Sequence, residues 1–540
     1  MSYFSDLLTS FSRQAGINSP QIARYCGLDR VTVYRFMKGK TLPNDKQTVY
    51  RMAEILQLTD DEREALMESY ECMRLGFRTY RERIYIRSFM LSFSGKTPAI
   101  PTIQYDVEDV KDSLNDVQLI SGKACILKRI QREILRECEN NHHGIELIMR
   151  PGITPVMDML LSAGKKNKAL RVKHLIPITT AFLSNADEAV KPAVHQASVI
   201  QTLAETSSGL GSPSQLLNSP AESGISDSVG IFTNESKNLG WDYELLQSFF
   251  KIISLCVEGF EYEPFYYYSR LIKFSSFPLY TNLLLTEQSV IMFTDDLEES
   301  VLFTGKEQIA AFHNKFQGVA DNKPALSYTF RDVASFMDNM NNVILKREKR
   351  KDDIEFSYFS QPCIIPVITE EIIKKHLRVD LISGQQSGGN VLQNIYNYVE
   401  AIRSRYTNSD YNQICYMPEN GIRYFLKTGR FAEVPLEMYS PLTEEERREM
   451  LLTLAGQNSF KFRITKTEMS HPEGMLCIEV MDKALFLEFL VPEKGMCFLY
   501  INEPGILLTF RSFFSGLSDE ELYSEEESRE ILRAIARETL

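Results

Sequence analysis

Four cations, Arg30, Arg35, Lys38 and Lys40, fall within the stretch Cys26–Pro43, CGLDRVTVYRFMKGKTLP. Arginine presents a rigid fork of donors that matches guanine O6 and N7, each good pair being worth roughly 1–3 kcal/mol of discrimination between bases. Lysine supplies charge for phosphate. Val31, beside Arg30, offers an apolar contact for a thymine methyl. These types, gathered near one end of an acidic chain, point to polyanion chemistry. Residues 1–58 hold eight Lys and Arg against four acids, a local charge of +4 in a protein whose net charge is −12. A basic segment on an acidic body implies that a polyanion meets that segment and is repelled elsewhere.

The elements that must position these side chains are short helices. Tyr3–Gln14 has helical apolar spacing and ends at Ala15-Gly16. Asn18-Ser19-Pro20 is a helix-start signal for a segment that stops at Gly27, where a tight corner calls for positive φ. Asp29 caps the next helix, Arg30–Lys38, which ends at Gly39. A fourth helix follows Pro43-Asn44-Asp45, and Thr59-x-x-Glu62 is a capping box for a fifth. Two short helices joined by a glycine corner form the helix-turn-helix arrangement, whose second helix enters the major groove. Asp60–Met90 then reads as a long amphipathic stretch interrupted at Gly76, and Ser94–Pro101 as a hinge.

Through Ile22-Ala23, Gly27-Leu28, Val33, Phe36, Gly39-Lys40 and Pro43, residues 1–60 resemble the XRE family of phage-repressor, Cro-like helix-turn-helix proteins. The resemblance implies a small core of Ile22, Ala23, Cys26, Val33 and Phe36, and double-stranded DNA as a partner. It puts Ser19 at a phosphate-contacting position, Arg30, Val31 and Arg35 where bases are read, and Lys38 and Lys40 along the backbone. Thr32 joins this DNA-binding set. Arg35-Phe36-Met37 departs from the family pattern, so base preference does not carry over.

The body repeats itself. Val117–Gly122 (VQLISG) matches Val379–Gly384 (VDLISG), and the strands Ile145–Pro151 and Asn412–Pro418 follow in the same order. His174–Thr179 then parallels Glu437–Thr443, and Phe312–Gly318 parallels Phe510–Gly516. Strand and helix alternate within each copy, and strand-rich runs, Thr281–Thr304 and Phe460–Ile501, come late in each. The fold class expected is therefore multidomain: an all-α helix-turn-helix domain at 1–68 and a helical connector at 69–98, followed by an internally duplicated α/β (α+β) body. Its first half spans 99–345, with a Ser/Gly-rich loop near 205–229, and its second spans 346–540. A junction of two such halves is a natural ligand cleft, although no ligand-binding residue can be named. The two-half layout is distantly similar to phospholipase D-like folds.

Catalytic chemistry is sparse. His313-Asn-Lys315 is the one His-x-Lys; Asp321 is off the spacing a phosphodiesterase pair would need, the second copy has Arg511-Ser-Phe instead, and the motif sits on a helix. Seven scattered histidines and nine cysteines without a CxxC pair give no metal framework, and fit reduced thiols in the cytoplasm. Phosphate-cradling glycine loops and nucleophile motifs are not found. Mean hydropathy is −0.21, no apolar run has the length of a membrane span, and the opening MSYFSDLLTSFSRQ lacks the order of a secretory leader. The function expected is a homodimeric, cytoplasmic, sequence-specific transcriptional regulator without catalytic, metal or cofactor sites. Its partners are double-stranded DNA, a second copy and a small-molecule or protein effector, with no membrane. The alternatives are a protein-interaction scaffold and an enzyme with an appended helix-turn-helix, for which a phosphodiesterase-like body is the disfavoured candidate.

Overall fold

The computed structural model describes residues 3–93, 107, 116–139, 144–150, 152–179, 241–269, 280–321, 323–330, 354–378, 388–407, 412–430, 439–481, 483–491 and 495–538. These fall into two compact units, one with residues 3–85 and Trp241–Tyr243, the other with the described residues of 86–179 and 244–538. The hinge at Ser94–Pro101, the loop near 205–229, the repeat at Val379–Gly384 and the 345/346 boundary lie outside the described residues.

The first unit holds α1 (Tyr3–Gln14), α2 (Ser19–Cys26), α3 (Arg30–Met37), α4 (Lys46–Ile55), α5 (Asp60–Leu75) and the start of α6 (Phe77–Ser92), which continues into the second unit at Ile86. Their starts are written in local chemistry. The Asn18 side chain accepts from the Gln21 N–H at 3.1 Å while Gln21 accepts from the Asn18 N–H at 2.9 Å. Asp29 accepts from the Thr32 N–H at 2.9 Å, and Asp45 from the Thr48 N–H at 2.7 Å. Thr59 and Glu62 form the reciprocal box. Each such cap contributes about 1 kcal/mol. Gly27 takes φ +69° between α2 and α3, and the Leu28 N–H closes the corner on the Ala23 carbonyl at 2.9 Å. Ile22, Ala23, Cys26, Val33 and Phe36 pack with Phe4, Leu8, Val49, Met52, Leu66 and Tyr70 into one core. Gly76, at φ +81°, divides the amphipathic stretch into α5 and α6.

The second unit contains two seven-stranded mixed sheets. The first is built from β1 (Val117–Ser121), β2 (Gly144–Ile148), β3 (Arg171–Thr179), β4 (Glu261–Ser269), β5 (Asn282–Leu285), β6 (Val290–Phe293) and β7 (Glu299–Phe303). The second uses β8 (Ser327–Phe330), β9 (Ile354–Phe359), β10 (Asn412–Pro418), β11 (Phe462–Thr465), β12 (Cys477–Val480), β13 (Leu485–Val491) and β14 (Gly495–Ile501). Helices α7 (Lys123–Glu139), α8 (Thr154–Lys166), α9 (Trp241–Val257) and α10 (Lys306–Ala320) accompany the first. With the second come α11 (Glu370–His376), α12 (Gly388–Thr407), α13 (Glu419–Thr428), α14 (Glu444–Gly456), α15 (Pro504–Ser515) and α16 (Glu525–Ala536).

The strand orders are β1-β7-β6-β5-β2-β3-β4 and β8-β14-β13-β12-β9-β10-β11, so each strand of one sheet has a counterpart seven places later in the other. The parallel pairs correspond as well: β2–β3 and β3–β4 in one, β9–β10 and β10–β11 in the other, with all remaining pairs antiparallel. The segment matches read from the sequence are displaced by one strand. Ile145–Pro151 holds most of β2, whose counterpart is β9 rather than β10 at Asn412–Pro418. His174–Thr179 lies in β3, whose counterpart is that same β10 rather than Glu437–Thr443. The cause is chemical similarity between neighbours. Both β9, followed by Ser360-Gln361-Pro362, and β10, ending at Pro418, are buried strands leading to a proline, and sequence alone cannot separate them. Phe312–Gly318 and Phe510–Gly516 do correspond, in helices α10 and α15 that follow β7 and β14. β8 precedes residue 346 yet pairs with β14, so the second sheet draws a strand from the stretch assigned to the first half.

His174 shows how dry the first sheet's interior is. It is fully buried on β3, its Nδ1 2.8 Å from the Tyr262 hydroxyl and its Nε2 3.1 Å from the Met149 carbonyl. A neutral ring fits both, donating from Nε2 and accepting at Nδ1. Burial lowers its pKa to about 4. A folded-state value below the unfolded one means that the unfolded chain takes up the proton first, so stability is present above pH 6.5 and is lost as pH falls towards 4. The loss expected is up to about 3 kcal/mol. Denaturant melts at several pH values should show this fall, and His174→Gln should flatten it. In the first unit, Gly27→Ala meets no atom within 4 Å and leaves only the backbone penalty of positive φ. A destabilisation of about 1 kcal/mol is expected, read as faster amide exchange across α1–α5.

Candidate nucleic-acid interface

On α3 the positions 30, 31, 34, 35 and 38 fall within an arc of roughly 140°, at 100° per residue. Arg30, Val31, Tyr34, Arg35 and Lys38 are all exposed along it, Val31 by 56% and Tyr34 by 52%. Val33 and Phe36 occupy the opposite side, in the core. The same amphipathic pattern that buries two side chains therefore leaves a cationic and aromatic stripe outside. The Lys38 ammonium lies 5.8 Å from the Tyr34 ring centroid, a cation–π contact that holds its stem along the helix. Lys40 follows Gly39 at φ +63° and is tethered by its N–H to the Arg35 carbonyl at 2.9 Å.

The sequence-derived residues do not all have the same freedom. Arg30, Val31, Arg35, Lys38 and Lys40 are exposed, whereas Ser19, in the first turn of α2, and Thr32 are half-buried. The Thr32 hydroxyl donates to the Asp29 carboxylate and its N–H caps on the same side chain, so it serves the helix start. Those hydrogen bonds from Thr32 hold the Asp29 carboxyl below the usual carboxylate range. Tyr34 was missed by sequence reasoning. Its signal was available: it stands four residues after Arg30 and four before Lys38, on the turn between them.

Charge density sets this stripe apart, with Arg30, Arg35, Lys38 and Lys40 within one helix and its end. Elsewhere in the unit several cations are paired, Arg63 with Asp60 at 3.2 Å, Arg74 with Glu71 at 2.8 Å, Arg78 with Glu82 at 2.9 Å and Lys46 with Glu71 at 3.0 Å, while the exposed Arg13, Arg24 and Arg51 are scattered over other helices. Among the described residues, Arg30, Arg35, Lys38 and Lys40 enter no salt bridge with a carboxylate. Their side chains face solvent, with Arg35 near enough to the Asp29 carboxylate to help the Thr32 hydrogen bonds hold its pKa down, and are available to an anion.

The body has groupings that invite chemistry. His313 lies on α10, where its Nδ1 is 3.0 Å from Glu146 Oε2 and the same carboxylate receives Gln317 at 2.5 Å. Lys315 is exposed and Asp321 ends the helix, so the His-x-Lys does not converge on a shared site. A second grouping is one the sequence did not suggest. Ser440 Oγ is 3.1 Å from His376 Nδ1, and Glu446 Oε2 is 2.9 Å from Nε2, an arrangement resembling nucleophile, base and acid. However, Nδ1 also faces the Ser440 carbonyl at 3.0 Å, and an N–H that donates there cannot take the hydroxyl proton. Burial pushes the Glu446 carboxyl up, but hydrogen bonds from Lys375, the Thr443 N–H and His376 outweigh it and hold the group at about 2. The trio thereby fastens α11 to the start of α14. Cys477, Glu479 and Glu488, buried on β12 and β13, bring their ligand atoms within 4.8 Å of one another. Each makes a further interaction within the protein. Period-two spacing on β12 and the cross-strand pairing of Cys477 with Glu488 create this grouping, which only the register reveals. No helix among the described residues is long and apolar enough to cross a membrane.

No protein-family model matches the chain, and no curated protein does so either. Among the solved structures that align with it are three at low identity. TrmBL2, an archaeal chromatin protein described as having a novel mode of DNA binding, is 13% identical over 55% of this chain and 84% of its own, with a TM-score of 0.17. Phosphatidylserine synthase of Haemophilus influenzae Rd KW20 is 9% identical over 85% of this chain and 97% of its own, at 0.21. Polyphosphate kinase of Porphyromonas gingivalis is 8% identical over 78% and 55%, at 0.19. At such TM-scores these likenesses carry no argument about this chain's fold or activity.

Proposed function

We propose that this protein is a sequence-specific DNA-binding regulator of transcription, acting in the cytoplasm as a homodimer. Its first unit is read as an XRE-type helix-turn-helix, with α3 laid in the major groove. Arg30, Val31 and Arg35 face base edges, and Ser19, Lys38 and Lys40 the sugar-phosphate backbone. Thr32 stays in the set as the residue that holds the start of α3 on Asp29. The observation that carries the reading is the exposed row of Arg30, Arg35, Lys38 and Lys40 along and just past α3, on the side away from the buried Val33 and Phe36. Tyr34, exposed between them, adds a face for sugar or base contact. A single small reader of this size binds modestly, and two half-sites about one helical turn apart supply the rest.

The body is read as two copies of one α/β ancestor, a reading supported by their identical strand order. Its role is to assemble the dimer or to respond to a small-molecule or protein effector, without catalysis, metal or cofactor.

Affinity selection of fragmented genomic DNA on the full chain, at two salt concentrations, tests the reading. An inverted repeat that survives the higher salt is expected. Arg30→Ala and Arg35→Ala should each weaken binding to it by about 1–3 kcal/mol and relax preference at one base position. Lys40→Ala should weaken all sequences alike and reduce the salt slope by about one. Retention of sequence-blind DNA alone, unchanged by Arg30→Ala, would sink the proposal.

A further inference from the structure

Among the described residues, the chain closes two of its four sheet edges. Residues 324–326 run along the outer edge of β4, where the Tyr266 N–H donates to the Pro324 carbonyl at 3.1 Å and the Leu326 N–H to the Pro264 carbonyl at 2.7 Å. The outer edge of β11 is met by residues 521–523, with the Lys466 N–H on the Glu521 carbonyl at 2.8 Å and the Tyr523 N–H on the Ile464 carbonyl at 2.9 Å. β1 and β8 differ: they pair with β7 and β14 on one side, and on the other no described residue pairs with either. Of the two, β1 exposes more apolar side chain, Leu119 and Val117 against Tyr328 alone.

An open edge usually carries a lysine, a proline or a bulge that deters pairing. Val117–Ser121, VQLIS, has none of these and no charge. Leu119 is 73% exposed and Val117, on the same face, 47%. Burying them against a partner is favourable at about 25 cal/mol per Å². The strand's ends have opposite signs: Asp116 precedes it and Lys123 follows it, both exposed. Charge of this kind is self-complementary only when two strands run antiparallel.

We propose that β1 is the surface through which two copies of this chain associate, each β1 pairing antiparallel with the other about a two-fold axis through Leu119. In that register Leu119 meets its own copy, Val117 faces Ser121 and Gln118 faces Ile120. Asp116 lies across from Gly122, next to Lys123 of the copy, at both ends. The patch is thus isologous, as a two-fold dimer requires. Five residues of strand pairing bury less than a standard interface of roughly 1,200–2,000 Å², so the association is weak in isolation and depends on concentration. The proposal rests on the functional reading above for its purpose, since it names the dimer surface that reading needs, but not for its geometry.

Sedimentation of the full chain between about 1 and 100 µM, a range that spans weak association, should show a monomer–dimer equilibrium. Leu119→Arg should raise its dissociation constant by about tenfold or more while leaving the thermal melt unchanged. Cys125 is exposed nearby, so crosslinking uses a Cys125→Ser background. There, Leu119→Cys should give a disulfide-linked dimer on mild oxidation, and Gln118→Cys, displaced from its own copy by the register, should not. A chain that stays monomeric throughout overturns the proposal, as does a dimer indifferent to Leu119→Arg. The same holds if the thiol introduced by Leu119→Cys resists a small alkylating reagent in the monomer, which would mean that another part of the chain covers the strand. Failure of the DNA reading would appear instead in Arg30→Ala and Arg35→Ala, whose DNA affinity would be unchanged while dimerisation stood.

Discussion

Two backbone hydrogen bonds, Tyr266 N–H to the Pro324 carbonyl and Leu326 N–H to the Pro264 carbonyl, decide how the second unit is assembled. A buried sheet edge without partners for its N–H and C=O groups is costly. Residues 324–326 satisfy the edge of β4 and then lead directly into β8, whose own partner is β14. One segment therefore ends the first sheet and begins the second. The two sheets thereby share a seam, and the unit has fewer edges than two separate sheets would leave.

Within each sheet one interior strand, next to the central one, sets the connections. β2 has a parallel neighbour, β3, on one side and an antiparallel neighbour, β5, on the other, and β9 stands likewise between β10 and β12. Parallel neighbours need long crossovers, which in this chain contain α8 and α9 in one half and α11 to α14 in the other. Antiparallel neighbours consecutive in the chain are joined by short turns, as at Thr286–Ser289 between β5 and β6. This accounts for the order visible in the sequence, with helices concentrated early in each half and strand-rich runs late.

The helical unit works under a different constraint. Gly27 must turn the chain at positive φ, and Asp29 must cap α3 immediately afterwards, so the axis of α3 follows from four residues of local chemistry. Once that axis is set, period 3.6 divides α3 between core and solvent. Val33 and Phe36 cannot be buried without turning Arg30, Arg35 and Lys38 outward.

The amino-acid sequence by itself determined the helix starts and stops of the first unit, much of its core and the exposure of Arg30, Val31, Arg35, Lys38 and Lys40, because caps, glycine corners and apolar period act over three to five residues. It also carried the late strand runs and the correspondence of the helices after β7 and β14. Tyr34 was legible in principle, from its spacing alone. Tertiary structure alone decided which strand of one sheet answers which strand of the other, since β9 and β10 are both buried and both lead to proline. It alone brought Ser440 to His376, placed Cys477 across from Glu488 and put β8 in the second sheet. It alone left β1 as an uncharged open edge. These depend on pairing register between segments tens to hundreds of residues apart, and a register one residue away would turn the same side chains to the opposite face.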